Sequence, residues 1–175
     1  MTLAIHLESW GPSDLALLRA LLGDPAMMEH LGGPESQEQL VERQARYEQL
    51  AEPDRMFKIV DDATGEGIGS VGYWERTLSD GEVVWETGWL VLPADQGRGI
   101  ATAATALAIE HARADGRHAS IHAYPSVDNP PSNAICSRLG FTLVETLDVE
   151  YPPDSGNMLR CNDWRLDLAE ASITD

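Results

Sequence analysis

The sequence predicts one α/β (α+β) domain with a mixed, mostly antiparallel central sheet flanked by about four helices. The chain has 175 residues, the length of one ordinary domain. Hydrophobic residues make up 43% of it and charged residues 23%, which is typical of a globular protein. Helical and strand patterns alternate along the chain without a repeat or a linker. We expect the domain to span residues 1–168 and residues 169–175 to form a flexible tail.

The first third of the chain predicts one strand and two helices. Ser36 and Gln39 have the spacing of a capping box, in which each side chain satisfies an unpaired N–H group at a helix start. This helix is expected to run to about Ala51, before Pro53. The elements before it are a strand over residues 3–7, a helix from the N-cap Ser13 to about Leu22, and a short helical turn over residues 24–31.

Strand patterns then replace helical ones. The connections between three consecutive strands are short and rich in turn-forming residues, so the strands are predicted to form an antiparallel meander. Pro93 ends the last of them. The three strands cover residues 56–60, 68–76 and 83–92.

The second half predicts two helices and three strands. An alanine-rich helix is expected over residues 96–116, and Gly140 ends a second, shorter helix. The remaining elements are a strand over 118–124, a Pro-rich loop over 125–131, the short helix over 132–139, and strands over 141–151 and 158–168.

Charge and composition exclude several function classes. Twelve basic residues stand against 29 acidic ones, a formal net charge of −17, which argues against a nucleic-acid or anionic-membrane partner. The N-terminal residues lack the pattern of a signal peptide, and no segment approaches the ~20 apolar residues of a membrane span. The five histidines have no partners at zinc spacing, so no metal is expected.

The two cysteines, Cys136 and Cys161, cannot build a disulfide framework. One bridge is formally open, but two free thiols in a reducing cytosol are the favoured interpretation. With no targeting segment recognised, these features predict a cytoplasmic protein.

The most informative segment joins the predicted strand that ends at Leu92 to the alanine-rich helix. The first N–H groups of a helix are unpaired and lie at the positive end of its dipole, so they suit a phosphate. Gly97, Gly99 and Ala101 leave room for one, and Arg98 could add charge. The alternative is that the glycines only shape the turn. The segment matches neither a dinucleotide fingerprint nor a P-loop.

Two motifs carry a family resemblance. Gln96-x-x-Gly99-x-Ala101, after a strand ending in Val-x-Pro, resembles the acetyl-CoA pyrophosphate motif of the GNAT N-acetyltransferases. Asn129 to Phe141, with Asn133 and the Gly-Phe pair, is similar to the second motif of that family. The order of elements matches the GNAT fold along nearly the whole chain. Residues 24–34 resemble the branch that acetylates the N-termini of ribosomal proteins.

The resemblance implies acetyl-CoA as cosubstrate, bound where a strand separates from its neighbour and pairs with pantetheine. The implied contacts are the backbone of Leu90, Val91 and Leu92 for pantetheine, the segment Gln96, Gly97, Arg98, Gly99, Ile100, Ala101 and Thr102 for pyrophosphate, and Asn129 with Ser132 and Asn133 nearby for the pantetheine arm. For Asn129, a purely turn-forming role before two prolines stays open.

Acetyl transfer to an amine requires a proton acceptor, because most alkyl amines are protonated at neutral pH. Glu86 is the first candidate: it lies in a mostly apolar run, and the family often has a Glu base at this place. A solvated carboxylate on one strand face is the alternative. His122 is the second candidate, as a proton relay, with a packed or exposed histidine as its alternative.

Cys136 stands where many family members have a Tyr that protonates the leaving thiolate. Two roles are open for it: a weak catalytic acid, or a small apolar residue that faces the cofactor. The acceptor site is expected opposite the cofactor, lined by a set of early and strand residues: Met27, Met28, His30, Trp74, Trp85 and Tyr124.

The sequence thus predicts an acetyl-CoA-dependent N-acetyltransferase. Its acceptor would be a protein or peptide N-terminus, or a small amine such as a polyamine, an amino sugar or an antibiotic. A non-catalytic acyl-CoA-binding module of the same fold is the alternative. The resemblance also allows a homodimer, which is common in the family.

Overall fold

A seven-stranded sheet runs through the structure, a computed structural model that describes residues 4–50 and 54–169. The predicted fold class is confirmed: the strand order is β1-β2-β3-β4-β5-β7-β6, and only β4 and β5 are parallel neighbours. The strands are β1 Ile5–Ser9, β2 Arg55–Asp61, β3 Gly67–Thr77, β4 Val83–Val91, β5 Ser120–Ala123, β6 Thr142–Glu150 and β7 Met158–Asp167. The helices are α1 Leu15–Leu22, α2 Gln37–Glu48, α3 Ile100–Asp115 and α4 Pro130–Arg138.

The predicted meander is present as β2, β3 and β4, which pair antiparallel in sequence order. Turns rich in Asp and Gly connect them, as their composition predicts. The β3–β4 ladder is continuous from Gly69 opposite Val91 to Thr77 opposite Val83. This long ladder makes β4 the fixed central strand of the sheet.

Two hydrophobic clusters cover the two faces of the sheet. The larger one packs α3, through Ala104 and Ala108, against strand residues such as Ile59, Val71 and Ile121. The small alanine side chains let the helix approach the sheet closely. The second cluster lies under α1 and α2 and is built from Trp10, Leu18, Leu21, Leu22, Met28 and Leu40.

Helix starts are the main correction to the sequence predictions. Ser36 and Gln39 form the predicted capping box of α2. Ser13 is not an N-cap: it lies inside a 3₁₀ turn over Pro12–Asp14, and the side chain of Asp14 accepts the Gly11 N–H instead. The alanine-rich helix begins at Ile100 and not at Gln96, because the glycine loop adopts left-handed backbone angles that no α-helix contains.

The short helix α4 also starts earlier than predicted. Asn129 is its N-cap and accepts the N–H of Ser132, whereas the sequence placed the helix start at Ser132 itself. The first strand is displaced to Ile5–Ser9, and part of its predicted range lies outside the described residues. The predicted helix end at Ala51, and the predicted tail beyond Ala169, also lie outside them. None of the helices in the described ranges has both the length and the apolar character to cross a membrane.

The cluster under α1 and α2 is expected to stabilise the domain through Leu21, which is fully buried. Leu21→Ala should lower the free energy of unfolding by roughly 3 kcal/mol, from lost burial and the cavity left behind. Chemical denaturation measures this loss. The matched control is Val41→Ala in α2, where the side chain is 49% exposed and the change should stay below about 0.5 kcal/mol. Equal losses in the two variants would contradict this account of the cluster.

Candidate active site

The central feature of the site is an opening between β4 and β5. These strands pair at only two positions, Trp85 with Ile121 and Glu86 with His122. β4 continues beside β3 as far as Val91, whereas β5 ends at Ala123. Among the described residues, no strand pairs with the β5-facing edge of β4 beyond Glu86. Main-chain polar groups along this edge are therefore available for an extended ligand.

Alternation along β4 determines which backbone groups face the opening. The N–H of Leu92 donates to the carbonyl of Ile68 at 2.9 Å, so this position bonds towards β3. Residues of an antiparallel ladder alternate between facing the partner and facing away. Val91 and Trp89 therefore face the opening, whereas Leu92 and Leu90 face β3. Of the three backbone positions predicted for pantetheine, Val91 alone is on the open edge, and the sequence analysis missed Trp89.

A cavity of about 400 Å³ lies beside this opening. Four of the predicted site residues line it: Glu86, Leu90, Asn129 and Ser132. Its other walls come from α2, from the loop after α1, and from β3, β5, β6 and β7. The cavity brings together described residues that are up to 139 positions apart in the chain, from Leu22 to Cys161, which no local sequence pattern could indicate.

Glu86 lies at the point where β4 and β5 separate. Its carboxylate accepts a hydrogen bond from Nη1 of Arg76 at 2.9 Å, and its side chain is 18% exposed. Burial alone would lower the pKa of the Arg76 guanidinium, but the charge and the hydrogen bond of Glu86, together with the nearby Tyr124 and Asp163, raise it overall. Arg76 also lies over the ring of Tyr124, 4.2 Å from its centroid. Arg76 thus fixes the carboxylate of Glu86 in the cavity wall, where it is only partly exposed to solvent.

His122 is buried behind this wall and does not line the cavity. Its Nδ1 lies 2.7 Å from Oδ1 of Asp163, a carboxylate that is also buried. The ring stacks on Tyr124, as the predicted shared strand face requires. This environment argues against the predicted relay role, because the imidazole is committed to Asp163 and has no face on the cavity.

Cys136 lies on α4 in the larger hydrophobic cluster and is fully buried. Burial raises the pKa of its thiol to about 12. A thiol with that pKa is a poor proton donor to a CoA thiolate, whose own pKa resembles the ~8.5 of a free cysteine. Of the two roles left open for Cys136, the burial favours the apolar filling role, and the role of catalytic acid stays a prediction.

The glycine loop follows the end of β4 directly. Gly97 and Gly99 have φ values of +74° and +78°, which L side chains rarely adopt. A Cβ added at either position would meet no atom within 4 Å, so the space above the loop is open. The first helical hydrogen bond runs from Ala103 to the carbonyl of Gly99. The N–H groups of Ile100, Ala101 and Thr102 thus precede the helical bonding pattern, as the phosphate hypothesis requires.

Two side chains of the loop have partners that the sequence did not predict. Nε2 of Gln96 donates to the carbonyl of Val91 at 3.0 Å and lies 3.5 Å from the sulfur of Met27. Nη1 of Arg98 donates to Oδ1 of Asp95 at 2.7 Å, and Nη2 of Arg98 lies 4.0 Å from Oδ2 of Asp61. The guanidinium charge is therefore largely balanced within the loop, which weakens its predicted contribution to phosphate binding.

Asn133 is committed to the fold. Its Nδ2 donates to the carbonyls of Ser126 and Asn129, and its Oδ1 accepts from Asn162 and Trp164, all within 3.0 Å. An amide has two donor hydrogens and two acceptor lone pairs, so this set uses them all. The side chain of Asn133 therefore ties α4 to β7, and its assignment to the cofactor site, near the pantetheine arm, stays a prediction.

Of the six residues predicted to line the acceptor site, four line the cavity and two are buried in the core. Met27, His30, Trp74 and Tyr124 line the cavity. Met28 and Trp85 are buried in the two hydrophobic clusters and do not line it. The ring of Trp74 covers Gly88, where an added Cβ would lie 3.0 Å from the indole. Strand alternation could have separated Trp85 from Glu86, because neighbouring residues point to opposite faces.

Sequence reasoning missed the contribution of α2. Arg43, Arg46, Tyr47 and Leu50 line the cavity at helical spacings of three and four residues. A helix with arginines on one face is ordinarily interpreted as solvent-exposed, so the pattern alone gave no signal. Tyr151 and Cys161, from the β6–β7 region, also line the cavity.

The residues present fit acetyl-CoA at most of the predicted places. The open edge of β4 offers a backbone partner for pantetheine, and the glycine loop has room for pyrophosphate. Asn129 and Ser132 border the same cavity. Within the described ranges, no group of three or more His, Cys, Asp or Glu is placed to hold a metal ion.

Comparison with known proteins places this geometry in a family. The model of the acetyltransferase (GNAT) domain matches residues 5–142. A mycothiol acetyltransferase from Mycolicibacterium gilvum (strain PYR-GCK) is 37% identical over 112 residues, which cover 61% of this chain. The match covers 35% of that relative, so the chain spans about a third of the relative's length.

Solved structures share the fold at low sequence identity. The spermidine N-acetyltransferase from Vibrio cholerae, in complex with CoA and spermine, has a TM-score of 0.76 and 18% identity, covering 94% of this chain and 95% of its own. The phosphinothricin acetyltransferase from Sinorhizobium meliloti, in complex with acetyl-CoA, has a TM-score of 0.75 and 19% identity, covering 98% and 92%. Since the family model spans most of the sequence and the fold agrees, the chain belongs to the GNAT acetyltransferases.

Proposed function

We propose that this protein transfers the acetyl group of acetyl-CoA to a primary amine, with Glu86 as general base. The observation that carries the proposal is the position of Glu86, in the cavity wall where β4 and β5 separate. In the reaction the ammonium form of the acceptor first gives one proton to Glu86, which passes it to water. The neutral nitrogen then attacks the thioester carbonyl carbon, the C–S bond breaks and CoA leaves as a thiolate. The nitrogen gives its second proton to the regenerated Glu86 carboxylate.

The surroundings of Glu86 suit this role. Glu86 supplies the carboxylate that a general base needs, and Arg76 holds it in the cavity wall at a distance of 2.9 Å. The Glu86 side chain is only 18% exposed and lies opposite Trp74 in the β3–β4 ladder, which limits competition from water. The ordered pair also fixes the direction in which the carboxylate points, which proton transfer requires.

Acetyl-CoA itself supplies the activated thioester, and the chain holds it. In this proposal the backbone of Val91 and Trp89 pairs with pantetheine along the open edge of β4. The N–H groups of Ile100, Ala101 and Thr102, with Gly97 and Gly99, receive the pyrophosphate. Asn129 and Ser132 border the pantetheine arm.

We assign no catalytic acid. Cys136 fills the core, and a CoA thiolate is a tolerable leaving group without immediate protonation. His122 is assigned a supporting role, as the buried partner of Asp163 behind Tyr124.

A non-catalytic acyl-CoA-binding module is the second candidate. The observation that favours it is the burial of Cys136 at the place where the resemblance expects a Tyr acid. Both candidates require the same cofactor site, so turnover separates them. Acetylation of ribosomal-protein N-termini, a homodimer and a cytoplasmic location stay predictions.

Glu86→Gln tests the base. Glutamine keeps the size of the side chain and its place in the wall but cannot accept the proton. We expect kcat to fall by about 10²–10⁴-fold, while the Kd for acetyl-CoA changes by less than about twofold. Thiol release from acetyl-CoA, measured over a panel of amines, gives kcat, and calorimetry gives Kd.

Glu75→Gln is the matched control, since Glu75 lies on β3 bonded to His118 and does not line the cavity. It should leave kcat within about twofold of the wild type. Unchanged turnover in Glu86→Gln would remove Glu86 from the mechanism. Binding of acetyl-CoA without turnover on any amine would favour the binding module.

Gly99→Glu tests the cofactor loop. It places a carboxylate at the start of α3, where it repels the pyrophosphate and strains a left-handed backbone position. The Kd for acetyl-CoA should rise at least about 100-fold, as measured by calorimetry. Gly116→Glu introduces the same charge and strain at the opposite end of α3, where φ is +72°, and should leave the Kd within about twofold. An unchanged Kd in Gly99→Glu would place the cofactor elsewhere.

A further inference from the structure

The cavity has a charge balance opposite to that of the chain. Acidic residues outnumber basic ones 29 to 12 over the sequence. Around the cavity three arginines, Arg43, Arg46 and Arg55, stand against two carboxylates, Asp54 and Glu86. Solubility explains a generally acidic surface, but it does not explain a local excess of arginine in a ligand-sized cavity.

Arg43 is part of the framework of this wall. It donates through Nε and Nη2 to both carboxylate oxygens of Glu35, whose side chain is only 4% exposed. Its Nη1 lies 3.4 Å from the hydroxyl of Tyr47. The pair neutralises its own charge and fixes the surface of α2 that faces the cavity.

The hydroxyl groups on this wall are donors. Burial raises the pKa of Tyr151, although the nearby Arg43 opposes that rise. Its phenol therefore keeps its proton at neutral pH. Tyr47 and Tyr151 both line the cavity, beside the arginines. This side of the cavity thus presents groups that donate hydrogen bonds to an anion.

Arg46 differs from Arg43 in having no counter-ion. It lies one helical turn along the same face, lines the cavity and is exposed to solvent, and its guanidinium makes no hydrogen bond or ion pair with any residue in the described ranges. On the strand side, Glu86 already has Arg76 as its partner. The cavity therefore combines the carboxylate of Glu86, which can bind an amine, with the guanidinium of Arg46, which can bind an anion.

We propose that the acceptor is a small amine that also carries a carboxylate, of the free amino acid class. Its amine would face Glu86, and its carboxylate would bind Arg46 beside the hydroxyls of Tyr47 and Tyr151. This inference rests on the proposed acetyl transfer and names its substrate class. A polyamine would bring ammonium groups to Arg46, and a protein N-terminus has no carboxylate attached to its first residue, so both fit this wall less well.

The test compares free L-amino acids with their own carboxamides, and with spermidine, as acceptors for acetyl-CoA. The members of each pair share their side chain and differ at the carboxyl group that Arg46 is proposed to bind. The carboxamide also has the lower amine pKa, which by itself favours it as an acceptor, so a preference for the free acid reports the anionic contact. We expect the wild type to use the free acids with a kcat/KM at least about tenfold above that of the carboxamides. Thiol release gives the rates, and mass spectrometry identifies the acetylated product.

Arg46→Gln should raise the KM for free amino acids about tenfold or more, with kcat within about threefold and the KM for carboxamides within about twofold. Arg46→Lys should restore part of the affinity, because it keeps the charge without the planar fork. Arg19→Gln is the matched control: it removes an exposed arginine from α1, outside the cavity, and should change neither KM.

The two proposals fail in different ways. Turnover that depends on Glu86 but is as fast on carboxamides or spermidine as on free acids would overturn the amino acid assignment and keep acetyl transfer. An equal rise of KM on acids and carboxamides in Arg46→Gln would do the same. Failure to acetylate any amine in the panel would overturn both. The comparison in the wild type needs no variant, so it stands even if a substitution impairs folding.

Discussion

Two parallel strands, β4 and β5, pair at only two positions before they part, and the rest of the site is arranged around that opening. The long β3–β4 ladder keeps β4 straight while β5 is held by β7 on its other side. Each of the two strands thus has an extended partner on its outer side, and only a short pairing joins them to one another. Backbone groups of Val91 and Trp89 remain unpaired by neighbouring strands as a result. The side chain of Gln96 donates to the carbonyl of Val91, and the other main-chain groups along this edge can pair with an extended ligand.

A series of side-chain contacts fixes the residues at the point where β4 and β5 separate. Glu86 bonds to Arg76, Arg76 lies on Tyr124, and Tyr124 stacks on His122, which in turn bonds to Asp163. The contacts connect β3, β4, β5 and β7 across the parting strands. A carboxylate on an exposed strand would sample many rotamers, whereas this one is held in place. Positional order of this kind is what proton transfer to a single acceptor atom needs.

Much of the fold could be predicted because its elements carry local signals. The capping box at Ser36, the short turns of the meander and the alanine-rich helix each have a pattern that a few residues complete. The glycine loop was predictable for the same reason. Element boundaries were predicted wrongly where a long-range contact or an unusual backbone conformation determines them. At the start of α1, for example, Asp14 takes the capping position that the sequence predicted for Ser13.

The site was less predictable than the fold, because burial and partners depend on residues far away in sequence. Cys136 and His122 are reactive types in suggestive positions, yet tertiary packing buries both. The arginine face of α2 gave no signal, since its meaning comes from the strands across the cavity. Even the assignment of Leu90 and Leu92 as backbone donors depended on the register with β3, which a single strand does not reveal.

The four hydrogen bonds of Asn133 have a consequence for how this family's second motif is read. The residue lies within a segment that resembles a cofactor-binding motif, yet its side chain is used in holding α4 to β7. Substituting it would remove that tie and so disturb Asn129 and Ser132, which lie on the same helix start. An assay of activity alone would then count Asn133 among the ligand contacts. A measurement of stability beside activity distinguishes a residue that presents its neighbours from one that touches the ligand.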